Sequence, residues 1–236
     1  ITIFVVWWSM TRKKLPADVR RAATVEAVIA LAATTNPADI TTTQIAAYMG
    51  VTQGALFRHF SDKEAVWLAV MGWTSDTLLA RIDAVDGATP TDKLQAIFAA
   101  HVEFVVEHTG VPRILFGELQ RDADAPSKAR VRALMSGYRS RVLGLLELAK
   151  TQGQIDEKAD CTAAATMFLG MVQGLVMQAM AADDFTTMPA LSTRPTTPAC
   201  CWSPDRPLAT QPTSSSAPSA PAARASPAPW PRTTPT

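Results

Sequence analysis

Cysteine is scarce in this 236-residue chain: Cys161 stands alone in the middle, and Cys200 and Cys201 are neighbours near the end. Two adjacent thiols and one distant thiol do not build a disulfide framework, so bridges do not hold the fold together. Histidine is as rare, at three. His101 and His108 fall seven residues apart on one helix face near Glu103 and Glu107. Two imidazoles without a third ligand or close spacing argue against a metal centre, so no metal and no other cofactor is expected. Net charge is nearly absent, since 22 Lys and Arg oppose 21 Asp and Glu. No bulk field therefore draws the whole chain to nucleic acid, a membrane surface or an acidic partner. Long hydrophobic runs are missing from the start of the chain. Ile3 to Trp8 is six residues, against the roughly 20 that span a bilayer, and no basic segment or small-residue cleavage site flanks it. No membrane association is expected, and the cytoplasm is the expected compartment. Runs of alternating β-branched residues, a glycine loop for phosphate, a nucleophile elbow and a catalytic triad are also lacking. Those absences exclude a β-rich fold and argue against an enzyme.

What charge there is lies unevenly. Residues 10 to 70 carry 7 basic and 5 acidic side chains, whereas 71 to 184 carry 11 and 15. A mildly basic head thus precedes an acidic body. Both ends differ from the middle. Residues 1–9 are read as an upstream or disordered extension, with Met10 as the expected start. From Phe185 onward 12 of the 17 prolines occur, and Pro, Ala, Ser and Thr make up 38 of 52 residues. Such a segment buries no core. It is either a disordered Pro-rich tail or a GC-rich gene read out of frame, because codons for these four residue types share a second-position cytosine.

Between the ends the periodicity is helical throughout, and the fold class is all-α. Val25, Val28, Ile29 and Ala32 form one apolar stripe of a helix that starts near Pro16 and stops at Asn36-Pro37. Three closely spaced helix starts follow. Thr41 with Gln44 makes a capping box for a two-turn helix ended by Gly50; Thr52 caps the next; Ser61 or Asp62 caps a longer one that runs to about Ile82. Further helices are expected at about 91–109, 112–122, 126–152 and 160–182. Two short helices across a glycine-containing turn make a helix-turn-helix candidate.

The residues of that candidate are specific. Ile45-Ala46, Gly50-Val51, Thr52-x-Gly54, Leu56, Phe57 with Phe60, and Lys63-Glu64 follow one another between Ile40 and Glu64, after an amphipathic first helix. In this spacing the segment resembles the helix-turn-helix of the TetR family of bacterial transcriptional repressors. The match is strong over about 12–70 and continues over 71–184 only in helix number and length. Elementary chemistry reads the motif the same way. A helix seated in the major groove presents its first residues to base edges while its N–H groups and nearby cations hold phosphates. Gln53 has the paired donor and acceptor that suit adenine, and the Ala55 methyl suits a thymine methyl. Gly54 lets a duplex approach closely, and Lys63 stands at a helix N-terminus where a phosphate is attracted. Arg12, Lys13 and Lys14 form a basic arm before the first helix. Thr42, Thr43, Thr52, Arg58 and His59 complete the DNA-binding set. One departure is notable: the family usually has Tyr where this chain has Phe57, so the phosphate contact of that hydroxyl is lost here.

The resemblance further implies a homodimer built on the last two helices and a body that takes a small-molecule effector. Phe98, His101, Val105, Phe116, Met135, Tyr138, Met167 and Met171 are the candidate lining of an apolar cavity, or else plain bundle core. Leu169, Gly170, Gln173, Gly174 and Met177 mark the candidate dimer seam, where small residues let helices approach; the same pattern also suits packing within one chain. The prolines at 189, 195, 198 and 204 are expected to prevent the helix that should begin near 188, leaving Leu169, Val172, Val176 and Met180 exposed. The expected organisation is a DNA-binding head at 10–60, a ligand-binding and dimerisation body at 61–184 and a tail at 185–236. The expected function is a repressor released from a palindromic double-stranded DNA operator by a small lipophilic ligand. The alternative is a helical interaction protein with lost or non-specific DNA binding.

Overall fold

A computed structural model describes residues 16–192. Arg12, Lys13, Lys14 and most of the Pro-rich segment lie outside that range. Among the described residues the regular structure is entirely helical: α1 (Ala17–Ala32), a single 3₁₀ turn (Pro37–Asp39), α2 (Thr42–Tyr48), α3 (Gln53–Leu56), α4 (Lys63–Asp83), α5 (Pro90–Glu107), α6 (Gly110–Leu119), α7 (Pro126–Thr151), α8 (Cys161–Ala182) and α9 (Met188–Ser192).

Local chemistry sets most of these boundaries. Thr41 Oγ1 accepts from Gln44 N at 3.1 Å while Gln44 Oε1 accepts from Thr41 N at 2.7 Å, closing the capping box of α2. Gly50 follows with φ 65°, a conformation that favours glycine and turns the chain toward α3. Thr52 Oγ1 accepts from Ala55 N at 3.2 Å to start α3. Of the two candidate caps for α4, Asp62 is the one used: its Oδ1 accepts from Ala65 N at 2.8 Å. That bond and one from Ser61 hold the Asp62 carboxyl below its ordinary pKa. Helix α6 begins two residues earlier than the sequence pattern indicates, because Gly110 already lies in its first turn and Pro112 is tolerated there, where no intrahelical N–H bond is needed.

One apolar core runs from head to body. Val25, Val28 and Ile29 of α1, Ile45 of α2 and Leu56 of α3 join Val66, Val70 and Leu78 of α4 and, beyond them, the inner faces of α5 to α8. Helix α4 is the spine: it packs on α1 at its head end and on α5 and α7 along the body. Helix α8 is apolar enough to cross a membrane by length and composition. Its Phe168, Val172 and Val176 are instead buried in the bundle.

Two expectations about the end of the body are corrected. Pro189 does not stop a helix at 188, since it sits in the first turn of α9, where a proline fits. Met188 is 1% exposed and Phe185 packs on the core, so the packed body runs past residue 184. Nor are Leu169, Val172, Val176 and Met180 an exposed stripe. Val172 and Val176 are buried, and Leu169 and Met180 pack against the core. The outward side of α8 carries Met167 and Met177, 54% and 52% exposed.

Candidate nucleic-acid interface and effector cavity

The head presents α2 and α3 side by side. Leu56 and Phe60 point inward, 2% exposed each, and anchor a helix of only four residues against the core. Thr52, Gln53 and Gly54 at its start are exposed, as are Phe57 and Arg58, while Thr42, Ala55 and His59 are half-buried and Thr43 is exposed. Gln53 Nε2 donates to Thr42 Oγ1 at 2.7 Å, which orients the Gln53 amide outward from α3. A Cβ at Gly54 would meet nothing within 4 Å. Packing within the chain therefore does not require glycine there, and the open side is available to an approaching duplex.

His59 is fixed through its carbonyl, which accepts from Arg21 Nη1 at 2.7 Å, and the Arg21 guanidinium also lies 4.5 Å from the Phe60 ring centroid. Lys63 is turned elsewhere than the sequence reading placed it. Its Nζ lies 3.5 Å from the Ala38 carbonyl and 5.7 Å from the Trp67 ring, in a cleft between head and body. Tyr48, 57% exposed at the end of α2, is a hydroxyl on the head surface that the motif reading passed over.

Within the body a cavity of about 120 Å³ lies between α4, α5, α6, α7 and α8. Of the eight candidate lining residues, His101, Val105, Phe116, Met135 and Tyr138 do line it. The other three do not. Phe98 is buried core stacked edge-on to Phe168 at 5.8 Å, Met167 faces outward, and Met171 packs on the core. Periodicity assigns these three to an apolar face without saying which side of the helix meets the void. Leu78, Phe104, Leu115 and Leu134 line it as well. One polar point in the cavity is a pair: His101 Nδ1 and the Tyr138 hydroxyl share a hydrogen bond at 3.2 Å. Burial lowers the His101 pKa to about 4, so the imidazole is neutral. His108 is the C-cap residue of α5 and packs edge-on against Trp73 and Phe104, at 5.1 and 4.9 Å between ring centroids. Among the described residues no three His, Cys, Asp or Glu side chains gather as a metal site.

Helix α6 separates this cavity from the head. One side of it, Val111, Pro112, Leu115 and Leu119, lines the cavity. The other, including Arg113 and Glu118, lines the cleft against Lys63, Glu64 and the 36–38 turn. Two contacts bind this helix to the head. At its start, a Cβ on Gly110 would overlap the Ile29 carbonyl oxygen of α1. Just past its end, Arg121 Nη1 donates to Glu64 Oε2 at 2.8 Å and to Glu118 Oε2 at 3.1 Å. In the same cleft Glu64 Oε1 and Arg113 Nε are buried without a hydrogen-bond partner.

The family model described as bacterial regulatory proteins, tetR family, matches residues 25–70, the head just described. A second, described as tetracyclin repressor-like, C-terminal domain, matches residues 87–177, the body that holds the cavity. The chain belongs to the TetR family. It is a DNA-binding transcriptional regulator, and its matched relatives are regulators rather than enzymes. Among similar proteins, the nucleoid occlusion factor SlmA of Idiomarina loihiensis is 25% identical over 161 residues, which cover 67% of this chain and 82% of SlmA. The transcriptional repressor BepR of Brucella suis biovar 1 is 27% identical over 145 residues, covering 58% of this chain and 68% of BepR. The structure of the regulator FadR from Bacillus subtilis, in complex with stearoyl-CoA, superposes with a TM-score of 0.60 at 20% identity, covering 72% of this chain and 92% of FadR. That likeness is one of fold.

Proposed function

We propose that this TetR-family chain is a cytoplasmic homodimeric repressor that a small lipophilic ligand releases from a palindromic operator. The observation that carries the reading is the double role of α6. One helix walls the cavity and, through Gly110 on Ile29 and Arg121 on Glu64, holds the head. A ligand that prefers one position of α6 biases the angle of the head, and it shifts the equilibrium by its difference in affinity for the two arrangements. The unpartnered Glu64 Oε1 and Arg113 Nε leave the cleft a spare acceptor and a spare donor for a second arrangement. BepR, a repressor by name, supports the direction of control.

On DNA, α3 enters the major groove with Gln53 and Ala55 toward base edges and Gly54 at the close approach. Thr42, Thr43, Thr52, Arg58 and His59 flank it toward the phosphates, and the arm Arg12, Lys13 and Lys14 adds cations from outside the described residues. Phe57, 42% exposed, gives the backbone an apolar contact. Lys63 reaches a phosphate only by leaving Ala38 and Trp67. A half-site is short, so two heads at fixed spacing are needed. The dimer seam uses the outward side of α8, with Gly170, Gly174 and Met177. Here the packing alternative loses support, because a Cβ on Gly170 or Gly174 would meet nothing within 4 Å inside the chain. Leu169 and Gln173 line the cavity instead.

Selection of bound duplexes from a random pool tests the reading. The expected result is an inverted repeat that small apolar compounds release. Equal affinity for every duplex would favour a non-specific helical binder.

A further inference from the structure

Beside the cavity lies a second, more open pocket. This outer chamber of about 330 Å³ shares Leu119, Met135, Leu169 and Gln173 with the first. Gln173 Nε2 lies 3.5 Å from Met135 Sδ, so these two side chains stand at the boundary the chambers share. The chambers differ in chemistry. The inner one, about 120 Å³, is apolar apart from His101, Tyr138 and Gln173, and no Lys, Arg, Asp or Glu lines it. The outer one has Arg132, Ser136 and Arg139 on one side of α7 and Thr166 on α8. Arg132 donates to the Ala123 carbonyl at 2.7 Å. No carboxylate among the described residues pairs with Arg132 or Arg139, whereas Arg81, Arg113, Arg121 and Arg141 each have one.

Resting on the effector reading above, we propose that the ligand is a short-chain amphiphilic anion: an apolar body of about six carbons in the inner chamber and an anionic head against Arg132 and Arg139. Size sets the body, since a dry cavity of roughly 150 Å³ holds a molecule such as benzene. Charge sets the orientation, because an ionised head inside the inner chamber would be desolvated without a cation, while the outer chamber offers two guanidinium groups shaped for carboxylate or phosphate. The volume of the outer chamber accommodates more than a carboxylate, which is the place for a phosphorylated carrier such as that of an acyl thioester. The narrow inner chamber excludes a long acyl chain.

Calorimetric titration of the full chain with hexanol, hexanoate, hexanoyl-CoA, CoA and stearoyl-CoA tests this, using the parent, Arg132→Gln/Arg139→Gln and Arg132→Lys/Arg139→Lys. Both arginines are exposed, so the variants are expected to melt like the parent. At least one hexanoyl anion should bind, lose tenfold or more in the Gln double variant and recover in part with Lys, while hexanol binds all three proteins alike. Hexanoyl-CoA tighter than hexanoate assigns the head to the phosphorylated carrier; hexanoate tighter than hexanoyl-CoA assigns it to the carboxylate. Anion binding unchanged by the Gln substitutions overturns the head-group assignment and leaves the apolar cavity standing. Stearoyl-CoA bound as tightly as hexanoyl-CoA overturns the size. Failure of hexanol and of both hexanoyl anions in the parent overturns the effector reading itself.

Discussion

Gln53 Nε2 donates to Thr42 Oγ1 across 2.7 Å, so the first residue of α3 is held by the first residue of α2. The bond uses one amide hydrogen and leaves the other, with the carbonyl oxygen, for a base. Gln53→Ala is expected to relax base preference at one position per half-site, at about 1–3 kcal/mol. Thr42→Val should blur the same position by freeing the amide, with less loss of affinity. Duplex selection with each variant checks this, and an unchanged preference for Gln53→Ala would remove the residue from base readout.

Arg58 and Lys63 are expected to separate in salt dependence. Arg58 is exposed on the head, whereas Lys63 lies at the Ala38 carbonyl. Arg58→Ala should lower the slope of log affinity against log salt by about one, as loss of a single phosphate contact does, with little change of sequence preference. Lys63→Ala should change it less. The reverse order would place Lys63 on the duplex.

Gly110→Ala forces a methyl into the Ile29 carbonyl oxygen and within 2.9 Å of the Ala33 amide nitrogen. Both are helix backbone, so α6 must move away from α1. The expected cost is about 1–3 kcal/mol, accompanied by altered operator affinity. Denaturant unfolding and a binding titration measure the two effects, and a variant that keeps both parental values would show that α1 and α6 are not tightly joined.

Arg121 neutralises both Glu64 and the buried Glu118. Arg121→Met leaves those carboxylates without their cation and is expected to cost about 2 kcal/mol, the partial exposure of Arg121 reducing the penalty of a fully buried pair. A double-mutant cycle with Glu64→Gln should return a coupling, and ligand release of DNA should weaken in both single variants. Strict additivity would leave the head and α6 uncoupled at this point.

His101, half-buried at the cavity, makes stability depend on pH. Its folded pKa of about 4 lies below the unfolded value of 6.5, so the unfolded chain binds a proton that the folded chain refuses between those limits. Stability is therefore full above pH 6.5 and falls as pH drops toward 4, by on the order of 3 kcal/mol from this group. Below that window the carboxyls of Asp83 and Glu107, held down by Arg141 and Arg81, begin to protonate and add a second loss. His101→Gln should flatten the upper window and leave the lower one, as followed by unfolding at several pH values.

Met188→Ala tests the end of the body. Removing a side chain that is 1% exposed should cost about 2–4 kcal/mol, and truncation before Met188 should cost at least as much. A truncated chain as stable as the parent would make α9 dispensable.

Much of the head was legible because its determinants are local. Thr41 with Gln44, Gly50 and Thr52 act within one turn of themselves, so helix ends and motif spacing could be read residue by residue. The cavity was only half legible. His101, Val105, Phe116, Met135 and Tyr138 face it, whereas Phe98, Met167 and Met171 have the same chemistry and do not. Apolar periodicity identifies a buried face but not where that face stops touching its neighbours. Pro189 misled for a related reason: a proline that would break a helix interior is harmless in a first turn, and the register of α9 depends on where Met188 docks.

By itself the sequence determined the all-helical class, the caps and turns of the head, the order of helices and the helix-turn-helix motif. Each follows from side chains acting on backbone within a few residues. Only the tertiary structure decided which residues enclose the cavity, that α6 is shared between cavity and head, that Arg132 and Arg139 meet at one chamber, and that Val172 and Val176 are inside. Those relationships join residues tens of positions apart, and they are set by how whole helices pack against one another.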